Sequence, residues 1–184
     1  MRIARLASLL RRNMLARMRA KEGGDLELDK GEFVIRIVPS FGDFTREEWD
    51  QLSGTSRGAS DTPYNPFVSY DFLSALEDSG CAVRAPGWQG QHLRLEAPDG
   101  SLLGAVPCYL KSHSWADAFE RAGGRYYPKL QASVPFTPAT GPRLLARRGT
   151  DEETVRAALA AGLKALTDQI GTSSAHVTFA REPE

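Results

Sequence analysis

The sequence predicts an α/β fold of the α+β kind, with a mixed, mostly antiparallel sheet flanked by helices. Three observations predict it. Residues 33–39 form a β-branched run that ends at Pro39. Residues 91–111 contain two apolar stretches joined by a Pro98-Asp99-Gly100 turn, which predicts a hairpin. Residues 150–170 repeat apolar side chains at the spacing of an amphipathic helix.

Two short helices are expected after the first strand. Thr45 is followed three positions later by Glu48, the spacing of a capping box at a helix start. A second helix is predicted over 70–78, with Ser69 as its N-cap and Gly80 as its terminator. The hydrophobic residues of both segments then lie on one side and pack on the sheet.

The central hairpin follows a predicted loop over 81–90. Its first strand, 91–96, alternates leucines with polar residues, and its second strand extends over 102–111. Pro107 removes one N–H from the second strand, so we expect a bulge or a sheet edge at that point.

The last third of the chain predicts strand, helix and strand. Residues 126–134 favour a strand, and 150–170 a long helix in which Thr150 and Glu153 form the capping box. Gly171 ends this helix, and residues 175–179 alternate in the manner of a final strand. His176 lies opposite its apolar stripe, as His92 does in the hairpin, and both are read as structural or exposed.

Composition excludes several classes of protein. The chain has 184 residues, no net charge and 41% hydrophobic residues, which is typical of a globular protein. Its apolar runs are too short to cross a bilayer. Its two cysteines, Cys81 and Cys108, have no metal-ligand spacing, so we expect reduced thiols and no metal site. Beyond residue 24 the net charge is −6, which argues against DNA binding.

Residues 1–24 are a basic amphipathic extension. They carry seven arginine or lysine residues and a single acidic one, Glu22. An organelle transit peptide, a membrane-surface anchor and an extension without a function of its own all fit this pattern. Because no secretory signal is recognisable, we expect a cytoplasmic protein, with organelle targeting by residues 1–24 as the alternative.

Long strings in the body resemble a known family. The sequence is similar to the Fem-like (FemAB-like) peptidoglycan biosynthesis or recognition proteins of the Gcn5-related N-acetyltransferase superfamily. The resemblance covers most of residues 33–180 and is carried chiefly by strings that begin at Asn65, Gly104 and Trp115: NPFVSYDFLSALEDSG, GAVPCYLKSHS and WADAFERAGGRYYPKL. Two further segments, 134–145 and 176–179, look similar as well.

The resemblance implies an acetyltransferase-like fold and an N-acyltransferase-like function, in which an acyl or aminoacyl group passes to an amine acceptor. That acceptor is expected to be a small molecule or a cell-wall amine. Family members have two such halves, so residues 25–184 are expected to be the first half. Members also carry a Gly-Glu-Tyr stretch after the Ser-His-Ser motif, which this sequence lacks. A non-catalytic recognition module is therefore an alternative, as is a truncated remnant that self-associates through an unpaired sheet edge.

The candidate polar residues lie within two of the resembling strings. We expect catalytic roles for His113, whose ordinary pKa is near neutrality, and for Tyr126 and Tyr127, which could protonate a leaving group. Lys111 and Lys129 are further candidates. The alternatives are a hydrogen-bonded turn histidine and amphipathic rim tyrosines.

A cofactor site is expected at one turn. Superfamily members hold the diphosphate of coenzyme A at a helix start, but here the helix start at 150–153 is acidic. The turn containing Thr140, Gly141 and Arg143 is the better phosphate site, with a plain surface turn as the alternative. Acetyl-CoA or another acyl donor, such as an aminoacyl-tRNA, is the implied co-substrate.

Overall fold

The computed structural model describes residues 33–56, 63–113 and 127–181. Residues 1–24, with their predicted amphipathic helix, lie outside these ranges. Within the ranges the predicted α+β class is confirmed. The elements are β1 (Val34–Val38), α1 (Arg46–Ser53), α2 (Tyr70–Asp78), β2 (Trp88–Gly90), β3 (His92–Glu96), β4 (Leu102–Val106), β5 (Cys108–Lys111), β6 (Lys129–Ala132), β7 (Leu145–Ala146), α3 (Glu152–Ile170) and β8 (Ala175–Val177).

The strands form two four-stranded sheets. The first has the order β1-β3-β4-β7, and all of its neighbouring strands are antiparallel. The second has the order β2-β5-β6-β8, in which β6 and β8 are parallel and the other pairs are antiparallel. Because parallel strands need a crossover, α3 lies between β6 and β8 along the chain.

One long hairpin joins the two sheets. Its first arm changes from β2 to β3 at Gln91, and its second arm changes from β4 to β5 at Pro107. The Gln91 N–H still donates to the carbonyl of Cys108 at 2.8 Å, while the Cys108 N–H donates to Nδ1 of His92 at 3.2 Å. The interruption predicted at Pro107 is confirmed as the place where the chain passes from one sheet to the other.

Helix caps follow the sequence signals with one exception. The capping box of Thr45 and Glu48 is present, Ser69 caps α2, and Gly171 ends α3 in the left-handed conformation. The prediction that Thr150 caps α3 was wrong, because the Asp151 carboxylate accepts from the Thr154 N–H at 3.2 Å. The Thr150 hydroxyl instead donates to the Arg147 carbonyl and closes the preceding turn.

The prediction of a loop over 81–90 was also wrong for its last three residues. Residues 88–90 form β2, with Trp88 opposite Lys111 and Gly90 opposite Tyr109. A three-residue strand that ends in glycine is too short for alternation to reveal. Its stability comes from the longer strand β5 beside it.

Two hydrophobic cores lie on either side of the sheets. One core is enclosed by α3, which contacts strands of both sheets. The other lies beneath α1 and α2 and is built around the fully buried Phe41, Trp49 and Tyr109. The first core is tight at Gly104, where a Cβ would lie 2.7 Å from Val155 Cγ1 and 2.8 Å from the Leu145 carbonyl oxygen.

Strand β8 borders the second sheet and pairs, among the described strands, with β6. The predicted final strand over 175–179 is confirmed only over Ala175–Val177, because Phe179 has a left-handed φ of 55°. Val177 and Phe179 are 43% and 51% exposed. Self-association through this edge stays a prediction.

Candidate functional site

A polar face on the second sheet gathers the side chains best suited to chemistry. Cross-strand register puts Trp88, Lys111 and Lys129 in one row. The next row contains Tyr109, Gln131 and His176. We call these six residues the polar face. The alternate positions of the same strands, such as Leu130, turn to the opposite side and pack in the core beneath α3.

Aromatic rings lie beside the two ammonium groups of the polar face. The Nζ atom of Lys111 lies 3.9 Å from the centroid of the Trp88 ring, and the Nζ atom of Lys129 lies 5.5 Å from that of Tyr127. Lys129 is only 9% exposed. Burial, together with the charge of Lys129, lowers the pKa of Lys111. The face is therefore positively charged and partly desolvated.

His176 is a further ionisable group on this face. Its Nε2 atom is 2.8 Å from the Ser174 hydroxyl oxygen. Burial and the nearby charge of Lys129 both lower the pKa of His176. The neutral imidazole is thus favoured at neutral pH, and a neutral imidazole can accept a proton.

Two hydroxyl groups in this part of the molecule are buried. The hydroxyls of Tyr109 and Ser133 are buried and have no hydrogen-bond partner within the described residues. Burial raises the pKa of Tyr109 well above its ordinary value, so the phenol stays protonated. Ser133 follows the end of β6, and its N–H donates to the Pro107 carbonyl at 3.2 Å.

Two of the sequence-predicted catalytic residues lie at the lysine end of this sheet. His113 follows the end of β5, where its imidazole packs on Gly87: a Cβ there would lie 2.9 Å from His113 Nε2. Tyr127 comes two residues before β6 and borders Lys129. Tyr126 lies outside the described residues. Catalytic roles for all three stay predictions.

Comparison with known proteins decides the family. Residues 40–184 match the FemAB-like family, described as peptidoglycan biosynthesis/recognition proteins. The chain belongs to the FemAB-like family. The resemblance predicted from its sequence strings is thereby confirmed, and the domain is of the kind associated with peptidoglycan biosynthesis or recognition. A search of curated proteins finds no match.

Solved structures similar to this FemAB-like chain include three acetyltransferases. A ribosomal-protein-alanine N-acetyltransferase from Brucella melitensis biovar Abortus 2308 has a TM-score of 0.46 and 14% identity, over 82% of each chain. Aminoglycoside N-acetyltransferase AAC(6')-Iy in complex with CoA has a TM-score of 0.46 and 14% identity, over 86% of this chain and 82% of that one. An acetyltransferase from Trypanosoma brucei has a TM-score of 0.43 and 15% identity, over 79% of this chain and 81% of that one.

The predicted cofactor residues of the FemAB-like chain lie beyond the opposite end of β6. Arg143 is fully buried, and its guanidinium donates to the carbonyls of Ala139 at 2.6 Å, Thr178 at 3.0 Å and Pro142 at 3.2 Å. Gly141 donates its N–H to the Phe179 carbonyl. The Thr140 carbonyl accepts from Asn65 Nδ2. These contacts hold the turn to the end of β8, and phosphate binding by the turn stays a prediction.

The start of α3 does not fit a diphosphate. The Asp151 carboxylate already caps the helix, and Glu152 and Glu153 follow in its first turn. Hydrogen bonds from Thr154 lower the pKa of Asp151, so it is ionised at neutral pH. Three carboxylates at the positive end of the helix dipole would repel a phosphate group. Coenzyme A held by its diphosphate at this helix start is therefore disfavoured.

Sequence reasoning missed Trp88 and His176. Trp88 lies in the predicted loop over 81–90, and the sequence predicts a structural or exposed His176, whereas His176 is a partly buried member of the polar face. The usable signal was two lysines, Lys111 and Lys129, each at one end of a strand. His92 was also read as structural or exposed, and it is structural and fully buried.

Other features of the described residues carry less chemistry. A cleft of about 210 Å³ lies between α1 and β4, away from the polar face, and its acidic member Glu48 is paired with Arg94 at 2.9 Å. Within the described ranges no three histidine, cysteine or acidic residues cluster to hold a metal. No described helix has the length and apolarity needed to cross a membrane.

Proposed function

We propose that this FemAB-like domain transfers an acyl or aminoacyl group to an amine, and that the acceptor is a small molecule or a cell-wall amine. The observation that carries the proposal is the polar face, where His176 lies near the buried Lys129, itself the cross-strand partner of Lys111. Family membership supports the connection with the cell wall.

The polar face supplies the groups that acyl transfer requires. The acceptor amine must lose a proton as its nitrogen attacks the acyl carbonyl carbon, and the neutral imidazole of His176 can take that proton. Negative charge then develops on the carbonyl oxygen, and the ammonium group of Lys111 stabilises it. When the bond between the acyl carbon and its leaving group breaks, the leaving atom needs a proton. Tyr127 and His113, at the same end of the sheet, are the proposed donors.

The donor class is open to direct test. Because the start of α3 disfavours a diphosphate, a thioester donor would have to be held elsewhere, and an aminoacyl-tRNA is the competing donor. Both donors are compatible with a domain that acts on amines. The assay therefore has to include both.

The decisive experiment is a transfer assay on the full chain with radiolabelled acetyl-CoA or aminoacyl-tRNA and a panel of amines that includes cell-wall peptides. We expect label in an amide product, with a rate at least about 100-fold lower in His176→Gln. Lys164→Met is the matched control, because this exposed lysine on α3 pairs only with Asp168 among the described residues. Absence of product with every donor would refute the transferase proposal, and an unchanged His176→Gln rate would remove His176 as the base.

A recognition module is the second candidate, and the commitment of Arg143 to backbone carbonyls favours it. The start of α3 is acidic as well. Neither the turn that contains Arg143 nor this helix start is therefore prepared to bind a diphosphate. Such a module would bind cell-wall fragments without turning over any donor. Binding of purified fragments in calorimetry, combined with no product in the transfer assay, would establish it.

A further inference from the structure

The turn after β6 holds a phenylalanine in a backbone conformation that favours glycine. Phe136 has a φ of 60°, and a hydrogen bond from the Thr137 N–H to the Val134 carbonyl closes the turn at 3.4 Å. Within residues 33–56, 63–113 and 127–181, the other non-glycine residue with a positive φ is Phe179, at 55°. A Cβ atom makes this region unfavourable, and glycine or asparagine usually takes such a turn position. The backbone at Phe136 is therefore strained.

Burial of the ring does not offset this strain. Phe136 is 63% exposed, so most of its apolar surface stays in water. Val134, two residues earlier, is 3% exposed and fixes the turn to the core beneath α1 and α2. Strained residues persist where the surrounding structure holds them, and they are concentrated at functional sites. The contacts of the Phe136 ring therefore indicate what the strained turn does.

The Phe136 ring lies against the polar face. Its centroid is 5.4 Å from that of the Trp88 ring, with an interplanar angle of 57°. Trp88 is in the row of Lys111 and Lys129 at the first residue of β6, whereas Phe136 comes after the last residue of that strand, Ala132. The turn therefore brings an aromatic ring back alongside the row of lysines.

Trp88 in turn supports Lys111. The Nζ atom of Lys111 is 3.9 Å from the centroid of the Trp88 ring, whose face attracts a cation. Trp88 is only 6% exposed, and two rings contact it: that of Phe136 and, at 5.7 Å, that of the fully buried Tyr109. Phe136 is the solvent-facing member of this group. Loss of its ring would admit water to Trp88 and loosen the hold of Trp88 on Lys111.

We infer that Phe136 is a positioning residue for Lys111, which it holds in place through Trp88. This inference deepens the proposed function and rests on it for the role of Lys111, whose ammonium group stabilises the charge that develops on the acyl carbonyl oxygen. Such stabilisation requires a charge held in place before the reaction, and a displacement of about 1 Å lowers a rate by about 100-fold. A strained turn that holds a rigid aromatic ring meets this requirement.

The test compares Phe136→Gly with Phe179→Gly in the full chain. Each variant removes an exposed ring and relieves one left-handed residue, but Phe179 makes no ring contact with the part of the chain that the structure describes. We expect both variants to unfold no more than about 3 °C below the native midpoint, because the relief of strain offsets the loss of the ring. Phe136→Tyr keeps the ring and serves as the conservative variant.

The pKa of Lys111 reports its position without any substrate. Burial, together with the charge of Lys129, lowers this pKa below 10.5. NMR titration of lysines methylated with ¹³C-formaldehyde measures it, and Lys111→Arg assigns the signal. In Phe136→Gly the pKa of Lys111 should rise towards 10.5. In Phe179→Gly and Phe136→Tyr it should keep its native value.

Two outcomes of these measurements would overturn the inference. One is an unchanged pKa of Lys111 in Phe136→Gly that is folded by circular dichroism. The other is a fall of more than about 6 °C in the unfolding midpoint of Phe136→Gly, because the ring would then serve to support the fold.

The transfer assay tests the proposed function separately. Where the native chain transfers, Phe136→Gly should lower kcat at least about tenfold with little change in KM, because the misplaced charge acts in the transition state. Phe136→Tyr and Phe179→Gly should stay within about twofold of the native kcat. A shifted pKa of Lys111 with no transfer by the native chain would support the positioning of Lys111 and refute the proposed function. Native transfer with an unchanged kcat in Phe136→Gly would overturn the inference and leave the proposed function intact.

Discussion

The Nε2 atom of His92 lies 2.8 Å from Oε1 of Glu77, and this pair joins α2 to the point where the long hairpin passes between the two sheets. Nδ1 of His92 accepts the Cys108 N–H, so the ring proton is on Nε2 and is donated to Glu77. The second carboxylate oxygen of Glu77 accepts from the Ser40 hydroxyl at 2.9 Å and the Phe41 N–H at 2.8 Å. The carboxylate of Glu77 therefore links α2 to β3 and to the turn at residues 40–41.

Glu77→Ala should lower the free energy of unfolding by about 3 kcal/mol, because it leaves buried donors of His92 and Phe41 without an acceptor. Urea unfolding followed by circular dichroism measures the change. The matched control is Asp78→Ala, one residue further along α2 and exposed, which should change the free energy by less than about 0.5 kcal/mol. Equal losses in the two variants would show that the carboxylate of Glu77 has no special role.

Local signals explain the parts of the fold that the sequence predicted. The capping box of Thr45 and Glu48 and the terminator Gly171 depend on groups three or four residues apart, so their chemistry is readable in the chain. Where two local choices compete, the prediction fails: Thr150 and Asp151 are both good caps, and the turn closed by Thr150 leaves Asp151 as the cap.

Long-range relationships explain what the sequence did not predict. The pairing of Lys111 with Lys129 requires a register that no single segment contains. The same is true of Glu77 and His92, which are 15 residues apart and belong to different kinds of element. A candidate site built from side chains on four strands can be recognised only once those strands have been put in register.

The two thiols should react with very different rates. Burial raises the pKa of Cys108 to about 12, so at pH 8 it is protonated as well as inaccessible, whereas Cys81 is exposed. Because the thiolate is the nucleophile, one equivalent of Ellman's reagent should react quickly with the native chain and a second only after unfolding.

The variant Cys81→Ser assigns the fast thiol. In this variant the native protein should show no fast reaction, and unfolding in urea should release one equivalent. Two fast equivalents from the native chain would contradict the burial of Cys108 beneath α3.

The titration of His176 should respond to its neighbour Lys129. Burial and the charge of Lys129 lower the pKa of His176 from its ordinary value of 6.5. Lys129→Met removes the second cause, so the pKa of His176 should rise but stay below 6.5, because burial remains. NMR titration of the imidazole proton measures both values.

The same shift has a consequence for stability. Because the pKa of His176 is lower in the folded than in the unfolded state, the unfolded chain binds more protons as pH falls below 6.5. His176 should therefore lower the free energy of unfolding progressively as the pH falls below 6.5. His176→Gln should make the free energy of unfolding less dependent on pH in this range. A pKa of His176 that is unchanged in Lys129→Met would show that the two side chains do not interact.

Arg143 should prove structural in a direct measurement. Its guanidinium is fully buried and donates to three backbone carbonyls, so Arg143→Met would leave those acceptors unsatisfied and lower the free energy of unfolding by about 3 kcal/mol. Arg147→Met, whose side chain is exposed, should cost less than about 0.5 kcal/mol. If Arg143 instead held a phosphate, its replacement would abolish pyrophosphate binding while leaving urea stability near the native value. Measuring both urea stability and pyrophosphate affinity on Arg143→Met therefore distinguishes two roles. Arg143 either holds the turn to β8 or binds the phosphate of a substrate.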